Sequence, residues 1–316
     1  MQSTQTLIED GKAYLQRLKD KIVVVKLGGY VIKDLASIDM ISEDIAVLKK
    51  MGIKIIIVHG GGPQVDELSK KLGHTPKKVN GSRITDANAL EIAKMVFGGK
   101  INIELLVSLR KFGVKVVGLS GVDGNLIKAK KREAKMIEIP GKNSAEKIDF
   151  GFVGDVITVD TAILNLLLNN NYTPVIASLG SDDEGNLFNI NADTVAEVIA
   201  IGMNAEKLIN LTNVKGILKN KSDESSLMPL IDVDEAKKMI GKNLITEGMV
   251  PKLRSCINSI SGGVKRTHII NGTKKHSLLL EVSTVEGTGT MVLSKNEKRL
   301  YLNEMKTLKK SILRKN

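Results

Sequence analysis

The sequence predicts an α/β fold built on a mostly parallel sheet, and three observations point to it. Two continuous β-branched runs end in glycine: Ile22-Val23-Val24-Val25 leads to Lys26-Leu27-Gly28-Gly29, and Ile55-Ile56-Ile57-Val58 leads to His59-Gly60-Gly61-Gly62-Pro63. Between them, Ile41, Ile45 and Leu48 recur at helical spacing within the stretch from Ile38 to Met51. Such a strand, helix, strand unit favours parallel strands joined by right-handed crossovers. The same alternation continues along the chain, whose 316 residues, 42% of them apolar, suffice to bury a real core.

Taken in order, Leu7, Tyr14, Leu15 and Leu18 share one stripe, so residues 1–21 are expected to hold a docked amphipathic helix. Beyond the first two strands and the helix behind Pro63, strands are expected at Val114 to Leu119, Val175 to Ala177, Lys207 to Leu211 and Thr267 to Ile270. Helical patterns occur at Thr85 to Phe112, Val159 to Asn169, Ala192 to Met203, Val233 to Ile240 and Pro251 to Ile260. Gly124 to Ile139 and Phe152 to Val159 read as two hairpins, the first carrying Lys128, Lys130, Lys131, Arg132 and Lys135. Lysines on an exposed hairpin discourage edge pairing, a commoner use than a patch for an acidic partner.

Lys and Arg total 47 against 35 acidic residues, a net charge of +12, yet only 3% of residues are aromatic and none is Trp. Few rings are available to stack bases, so no nucleic-acid partner is expected. No apolar run approaches the roughly 18–20 residues of a membrane span, and the polar start lacks a signal-peptide pattern. The single cysteine, Cys256, can form neither an intramolecular disulfide nor a cysteine-based zinc site, so a reducing, cytoplasmic setting is expected.

A strand that ends in consecutive glycines leaves backbone N–H groups unobstructed, and a following helix N-terminus adds its own, so both turns can cradle an anion. Neither has the Gly-Lys-Ser/Thr ending of a P-loop or the Gly-x-Gly-x-x-Gly of a dinucleotide fold. Glycines also serve tight turns with no ligand. Lys26 stands at the end of a buried strand beside one turn. Lys252 follows Pro251 in the first turn of a helix, where a cation opposes the macrodipole unless an anion sits there. A lone lysine in such a place is ordinarily a solvated surface residue. Asn189-Ile190-Asn191-Ala192-Asp193 gathers two amides and a carboxylate at a loop-to-helix junction, more than a cap needs. His59, beside glycines at a strand end, reads as a packed histidine and not as a base.

These residues, in this order, resemble the amino-acid kinase family, and among its members those that phosphorylate N-acetylglutamate. The resemblance covers roughly Tyr14 to Val292. It runs through Lys26 to Gly29, Val58 to Gln64, Asn80 to Asp86, Val117 to Gly124, Gly151 to Gly154, Asn189 to Asp193 and Gly248 to Lys252. It implies a three-layer α/β/α sandwich with a mostly parallel central sheet. The implied divisions are an N-terminal oligomerisation helix (1–21), an acyl amino acid lobe (22–180), a lobe for ATP and arginine (181–292) and a basic tail (293–316).

The resemblance further implies that ATP, with Mg2+, phosphorylates the side-chain carboxylate of N-acetyl-L-glutamate in arginine biosynthesis. Lys26 and Lys252 would face the phosphates, Asp193 would organise them, and Gly28 and Gly29 would line the transferred group. Gly61 and Gly62 would donate N–H groups to the reacting carboxylate, while Arg83 and Asn189 would hold the α-carboxylate. Thr212, Asn213 and Gly216 fall on the nucleotide side, with Asn213 standing where the family usually has aspartate. The nucleophile, a carboxylate of pKa about 4.3, is ionised at neutral pH, so no catalytic base is required. Magnesium would be held by phosphates and water, and no residue is named as its ligand.

Family members inhibited by arginine carry an extra helix before the first strand and assemble as hexamers through it, which the resemblance places at Ala13 to Leu18. Tyr14, His268, Glu281 and Gly287 match the segments that line the arginine site. The expectations are feedback inhibition by arginine, a homo-hexamer joined by N-terminal helices, and a nitrogen-signalling protein as a candidate regulator. Two other readings stay open: a kinase for another acylated acidic amino acid, such as carrier-bound aminoadipate or glutamate, and a non-catalytic regulatory protein on this fold. From Lys295 to Lys315, six lysines and two arginines stand against two glutamates. Tyr301, Met305, Leu308 and Ile312 share a helical face there, which is expected to pack on this chain or a neighbouring subunit.

Overall fold

The computed structural model describes residues 15–79, 82–138, 145–220, 222–246, 248–284 and 287–303. The chain begins β1 (Ile22–Leu27), α1 (Leu35–Lys50), β2 (Lys54–His59), α2 (Gly62–Lys71), β3 (Lys77–Val79) and β4 (Ser82–Ile84). Next come α3 (Ala87–Lys94), a π-helical stretch (Met95–Ile101), α4 (Asn102–Lys111) and β5 (Val116–Ser120). The middle holds β6 (Ile127–Lys131), β7 (Lys135–Glu138), β8 (Ala145–Ile148), β9 (Gly154–Val159), α5 (Ala162–Asn169), β10 (Thr173–Ala177), β11 (Leu179–Ser181) and β12 (Leu187–Asn189). The remainder is α6 (Ala192–Gly202), β13 (Lys207–Thr212), β14 (Leu230–Asp232), α7 (Val233–Gly241), α8 (Val250–Ser261), β15 (Arg266–Asn271), α9 (Ser277–Ser283) and β16 (Thr290–Leu293).

Eight strands form one sheet in the order β14-β16-β15-β13-β1-β2-β10-β5. Neighbours from β15 to β5 are parallel, and β16 runs antiparallel to β15. A parallel sheet is covered on both faces, which is why β1 and β2 are continuous apolar runs. Val23, Val25, Ile55 and Ile57 face one layer, where Ile41 and Ile45 of α1, Leu105 of α4 and Leu278 of α9 pack. Val24, Ile56 and Val58 face the other, against Leu164 of α5 and Val195, Ala196 and Ile199 of α6. The result is the three-layer α/β/α sandwich that the resemblance implied.

The chain passes from β1 to β2 on one side and later returns as β13 on the other, so strand order reverses at β1. In open α/β sheets such a reversal places a crevice at the carboxyl ends of the strands. Both glycine turns leave from those ends.

Several elements differ from the sequence reading. The two expected hairpins are not separate: β6 pairs antiparallel with β9 and lies beside β11 in a four-stranded sheet, while β7 pairs with β8. Pairing with the more distant strand buries Ile127 and Ala129 with Phe188, which an isolated two-stranded ribbon would leave wet. The helix expected from Thr85 to Phe112 is two α-helices joined by the π-helical stretch around Gly98-Gly99, and it starts only after Asp86, whose side chain caps it by accepting from the Ala89 N–H at 2.9 Å. Val159 ends a strand instead of opening a helix.

At the N-terminus Leu15 and Leu18 are buried in the core, whereas Leu7 and Tyr14 lie outside the described residues. Residues 295–303 are helical and pack on this chain: Glu297 accepts from Arg266 at 2.7 Å, Lys298 pairs with Asp232 at 3.3 Å, and Arg266 lies 5.1 Å from the centre of the Tyr301 ring. Met305, Leu308 and Ile312 fall outside the described residues.

Candidate active site

Side chains alternate along a strand, so Lys26, two residues after Val24, rises on the face covered by α6. That helix starts above the strand ends, and Asp193 lies in its first turn. Capping falls to Asn191, whose side chain accepts from the Asp193 N–H at 2.7 Å, leaving the Asp193 carboxylate for other partners. Ser255 of α8 donates to the Asp193 carbonyl at 3.0 Å, which ties α8 to α6. As a result Lys252, in the first turn of α8, reaches the same carboxylate.

Asp193 Oδ1 lies 2.7 Å from Lys26 Nζ, and Oδ2 lies 3.3 Å from Lys252 Nζ. The Lys26 and Asp193 side chains are 7% and 8% exposed, against 23% for Lys252. Burial pulls Lys26 below the usual lysine pKa, more strongly than the Asp193 carboxylate draws it up. Burial alone would raise Asp193, but the Lys26 and Lys252 charges outweigh it and hold the carboxyl below its usual range. Two cations around one anion leave an excess positive charge at the floor of the crevice, where an incoming anion gains most because the pair is buried.

Above this cluster opens a cavity of about 520 Å³. Lys26, Gly28, Gly29, Gly61 and Gly62 line it, as do Arg83, Asn189, Asp193 and Lys252. Thr212 and Asn213 complete the side where β13 ends. Of the expected substrate and nucleotide residues only Gly216 is not brought to this cavity. Gly216 has a φ of +149°, and a Cβ there would come within 2.6 Å of Thr290 Oγ1.

The two turns differ in what they offer. Gly28 spends its N–H on the Leu211 carbonyl at 3.0 Å and so contributes space. Gly61 is the N-cap of α2 and Gly62 its first residue, so their N–H groups have no acceptor within the helix and remain available to an anion. A Cβ on Gly61 would meet Ile101 Cδ1 at 2.2 Å, and one on Gly29 would meet Pro63 Cδ at 2.6 Å. A side chain at Gly61 would require Ile101 to shift, and one at Gly29 would press on the Pro63 ring.

Arg83 projects from β4 and is clamped: Nη1 lies 2.6 Å from Asp66 Oδ1, and Nη2 donates to the Gly62 carbonyl at 3.1 Å. Lys78 also holds Asp66, at 2.6 Å. Partial burial would raise the Asp66 pKa, but hydrogen bonds and charges from Arg83 and Lys78 bring it below its usual range. Asn189 Nδ2 donates to Thr85 Oγ1 at 3.2 Å.

Sequence reasoning passed over Asp66, although its position four residues after Gly62 puts it on the same side of α2, which was a usable signal. It also passed over Gln64, whose amide donates to Gly29 and Ile32, and Arg132, a cavity-lining residue paired with Asp155 at 2.7 Å. His59 has both ring nitrogens engaged: Nδ1 donates to the Gly60 carbonyl at 3.0 Å and Nε2 accepts from Asn102 at 3.2 Å. Burial pushes its pKa down to about 4, as suits a packed neutral imidazole.

A second buried cluster lies farther along the C-terminal half. His268 Nδ1 donates to Glu281 Oε1 at 2.6 Å, and Lys207 Nζ donates to His268 Nε2 at 3.1 Å. The other Glu281 oxygen accepts from the backbone of Thr288 at 2.5 Å and of Gly289 at 3.1 Å. Gly287, at φ +64°, leaves room beside that oxygen, where a Cβ would come within 2.8 Å. The expected residues His268, Glu281 and Gly287 are thus brought together, and Tyr14 lies outside the described residues. Among the described residues no three His, Cys, Asp or Glu side chains gather to hold a metal ion, and no helix is long and apolar enough to cross a membrane.

Residues 21–271 match the profile of the Amino acid kinase family. The chain is 40% identical over 289 residues to an acetylglutamate kinase of Methanothermobacter thermautotrophicus, covering 92% of this chain and 99% of that one. It is 44% identical over 290 residues to an acetylglutamate kinase of Symbiobacterium thermophilum, with 91% and 96% covered. Among solved structures, N-acetylglutamate synthase of Neisseria gonorrhoeae with coenzyme A and N-acetyl-glutamate superposes with a TM-score of 0.79 at 24% identity, over 93% of this chain and 64% of that longer one. A carbamate kinase of Giardia superposes with a TM-score of 0.62 at 17% identity, over 87% and 99%. Both share the fold.

Proposed function

The chain belongs to the amino acid kinase family, and on that premise we propose that it transfers the γ-phosphoryl group of ATP to the side-chain carboxylate of N-acetyl-L-glutamate, in arginine biosynthesis. The observation that carries this reading is the buried Lys26–Asp193–Lys252 cluster at the end of β1, beside two glycine turns on adjacent parallel strands. Phosphoryl transfer calls for positioning and charge neutralisation more than covalent help. Lys26 and Lys252 neutralise the equatorial oxygens of the moving group, and Asp193 keeps the two cations at fixed separation.

On the acceptor side, the Gly61 and Gly62 N–H groups orient the attacking carboxylate, while Arg83 and Asn189 hold the α-carboxylate. The carboxylate oxygen forms its bond to the γ-phosphorus as the bond to the bridging β,γ-oxygen breaks and ADP leaves. No proton needs removing, in keeping with a His59 that is buried, doubly bonded and of low pKa. Thr212 and Asn213 border the nucleotide side. Magnesium would supply further neutralisation of the phosphates, and among the described residues Asp193 is the carboxylate that lines the cavity.

Arginine is the proposed feedback inhibitor, supported by the gathering of His268, Glu281 and Gly287 around one buried acid. A homo-hexamer joined through N-terminal helices, a cytoplasmic setting and docking of a nitrogen-signalling regulator belong to the same proposal. The test is ATP- and magnesium-dependent acyl-phosphate formation from N-acetylglutamate, trapped by hydroxylamine, with and without arginine. Turnover suppressed by millimolar arginine is the expected result. Turnover indifferent to arginine removes the regulatory part, and no turnover removes the substrate.

A further inference from the structure

We propose that Gln64 is a positioning residue that bolts the two glycine turns together and so sets the distance between the phosphoryl group and the attacking carboxylate; this rests on the kinase reading above. Gln64 sits in the first turn of α2, directly behind Gly60-Gly61-Gly62-Pro63, and is only 8% exposed. Its Nε2 reaches across to the other turn, donating to the Gly29 carbonyl at 2.8 Å and to the Ile32 carbonyl at 3.0 Å. Both hydrogens of one amide are thus used on the loop that follows β1, while the backbone of the same residue is fixed in the helix that follows β2.

The hydrogen-bonded register between β1 and β2 ends at Leu27 and His59. Beyond it, the Gln64 amide and the close approach of Gly29 to Pro63 carry the junction onward. A Cβ on Gly29 would lie 2.6 Å from Pro63 Cδ and 3.0 Å from Gln64 Oε1. That oxygen is itself buried and has no hydrogen-bond partner. An unsatisfied buried acceptor costs stability, and an apolar side chain of similar length would fill the space without it. What glutamine brings to this position is its pair of donors. In an in-line displacement the rate depends on alignment, and a misplacement of about 1 Å can lower it about a hundredfold.

Gln64→Leu removes both donors and keeps the bulk. Hydrogen exchange across residues 28–32 reads the bolt without any substrate, and acyl-phosphate formation reads its use. The expected result is faster exchange at residues 28–32 alone, with kcat about ten- to a hundredfold lower and KM for either substrate within about threefold. In Gln64→Glu, burial raises the carboxyl pKa, so the protonated form restores one donor and the rate relative to the parent recovers as pH falls from about 8 to about 6. Gln64→Leu shows no such recovery. Unchanged exchange overturns the bolt. Faster exchange with kcat within threefold, a loss confined to KM, or no pH recovery in Gln64→Glu overturns its use in catalysis. A parent chain that fails to phosphorylate N-acetylglutamate refutes the substrate reading, while the exchange comparison still decides whether the bolt exists.

Discussion

Replacing Asp193 by asparagine keeps the shape of the side chain and removes the one negative charge between Lys26 and Lys252. Lys26 would then be a buried ammonium, with a second ammonium nearby and no counter-charge. Removing one partner of a buried pair costs about 3–5 kcal/mol, so Asp193→Asn should lose about that much at pH 7. The penalty has a relief route: burial already lowers the Lys26 pKa, and without Asp193 it falls further until the lysine sheds its proton. A lysine whose pKa is lower folded than unfolded gains stability as pH rises between those two values. The deficit of Asp193→Asn should therefore shrink as pH rises from about 7 toward 10. Urea titrations of parent and variant at each pH, with equal slopes, measure it. The rate of acyl-phosphate formation should fall by about 10²–10³-fold, the usual effect of removing one preorganised electrostatic group. A deficit below about 1 kcal/mol, or one that does not change with pH, would show that Asp193 is not what holds two charged lysines together.

Asp66→Asn releases Arg83 from its clamp, so KM for the acceptor should rise about tenfold while kcat stays within about threefold; an unchanged KM would free Arg83 of any dependence on Asp66. Gly61→Ala drives a methyl group to within 2.2 Å of Ile101 Cδ1, and an overpacking loss of about 1–3 kcal/mol is expected by denaturant titration, together with loss of turnover. His59 and His268 are each pushed down by burial to about 4, His268 also by the Lys207 charge. Unfolded, both bind protons from about pH 6.5 downward, so stability is full above that pH and declines as pH falls toward 4, by about 2–3 kcal/mol per unit for the two together. His59→Gln should roughly halve that slope, and a flat profile would mean that neither histidine is held neutral.

The central strands were legible because they are buried on both faces: β1 and β2 had nothing to alternate with and so appeared as unbroken β-branched runs. Lys26 stood out because a charge closing such a run, just before glycines, has no packing purpose. Asp193 was visible only as part of a surplus, three polar groups where one suffices to cap a helix, and the structure gives the cap to Asn191 and leaves the Asp193 carboxylate free for the lysines. The partner of β6 was not legible, since β9 lies beyond two other strands and local alternation cannot say which distant segment completes a sheet. The π-helical stretch at Met95–Ile101 was equally hidden, because apolar spacing over a long helix scarcely changes when one turn widens. Asp66 escaped because a carboxylate on a helix among lysines looks like a surface ion pair until β4 delivers Arg83 to it.

In the proposed reaction the two reactants sit beyond neighbouring parallel strands. Adjacent strands lie about 4.8 Å apart, and both end on the same side of the sheet in a parallel pair. Anions held by the turns beyond Leu27 and beyond His59 are therefore brought close to reacting distance by the strand spacing itself. What the spacing cannot supply is charge, since two anions at that separation repel. The α6 face answers this with Lys26 and Lys252 around Asp193, and the β3–β4 ribbon answers it with Arg83 fixed on Asp66. Each of these cations is tied to a carboxylate that keeps it in place without fully neutralising the site. The cations must be buried to be effective and must be paired to be buried, which accounts for the carboxylates of a site whose proposed chemistry requires no base.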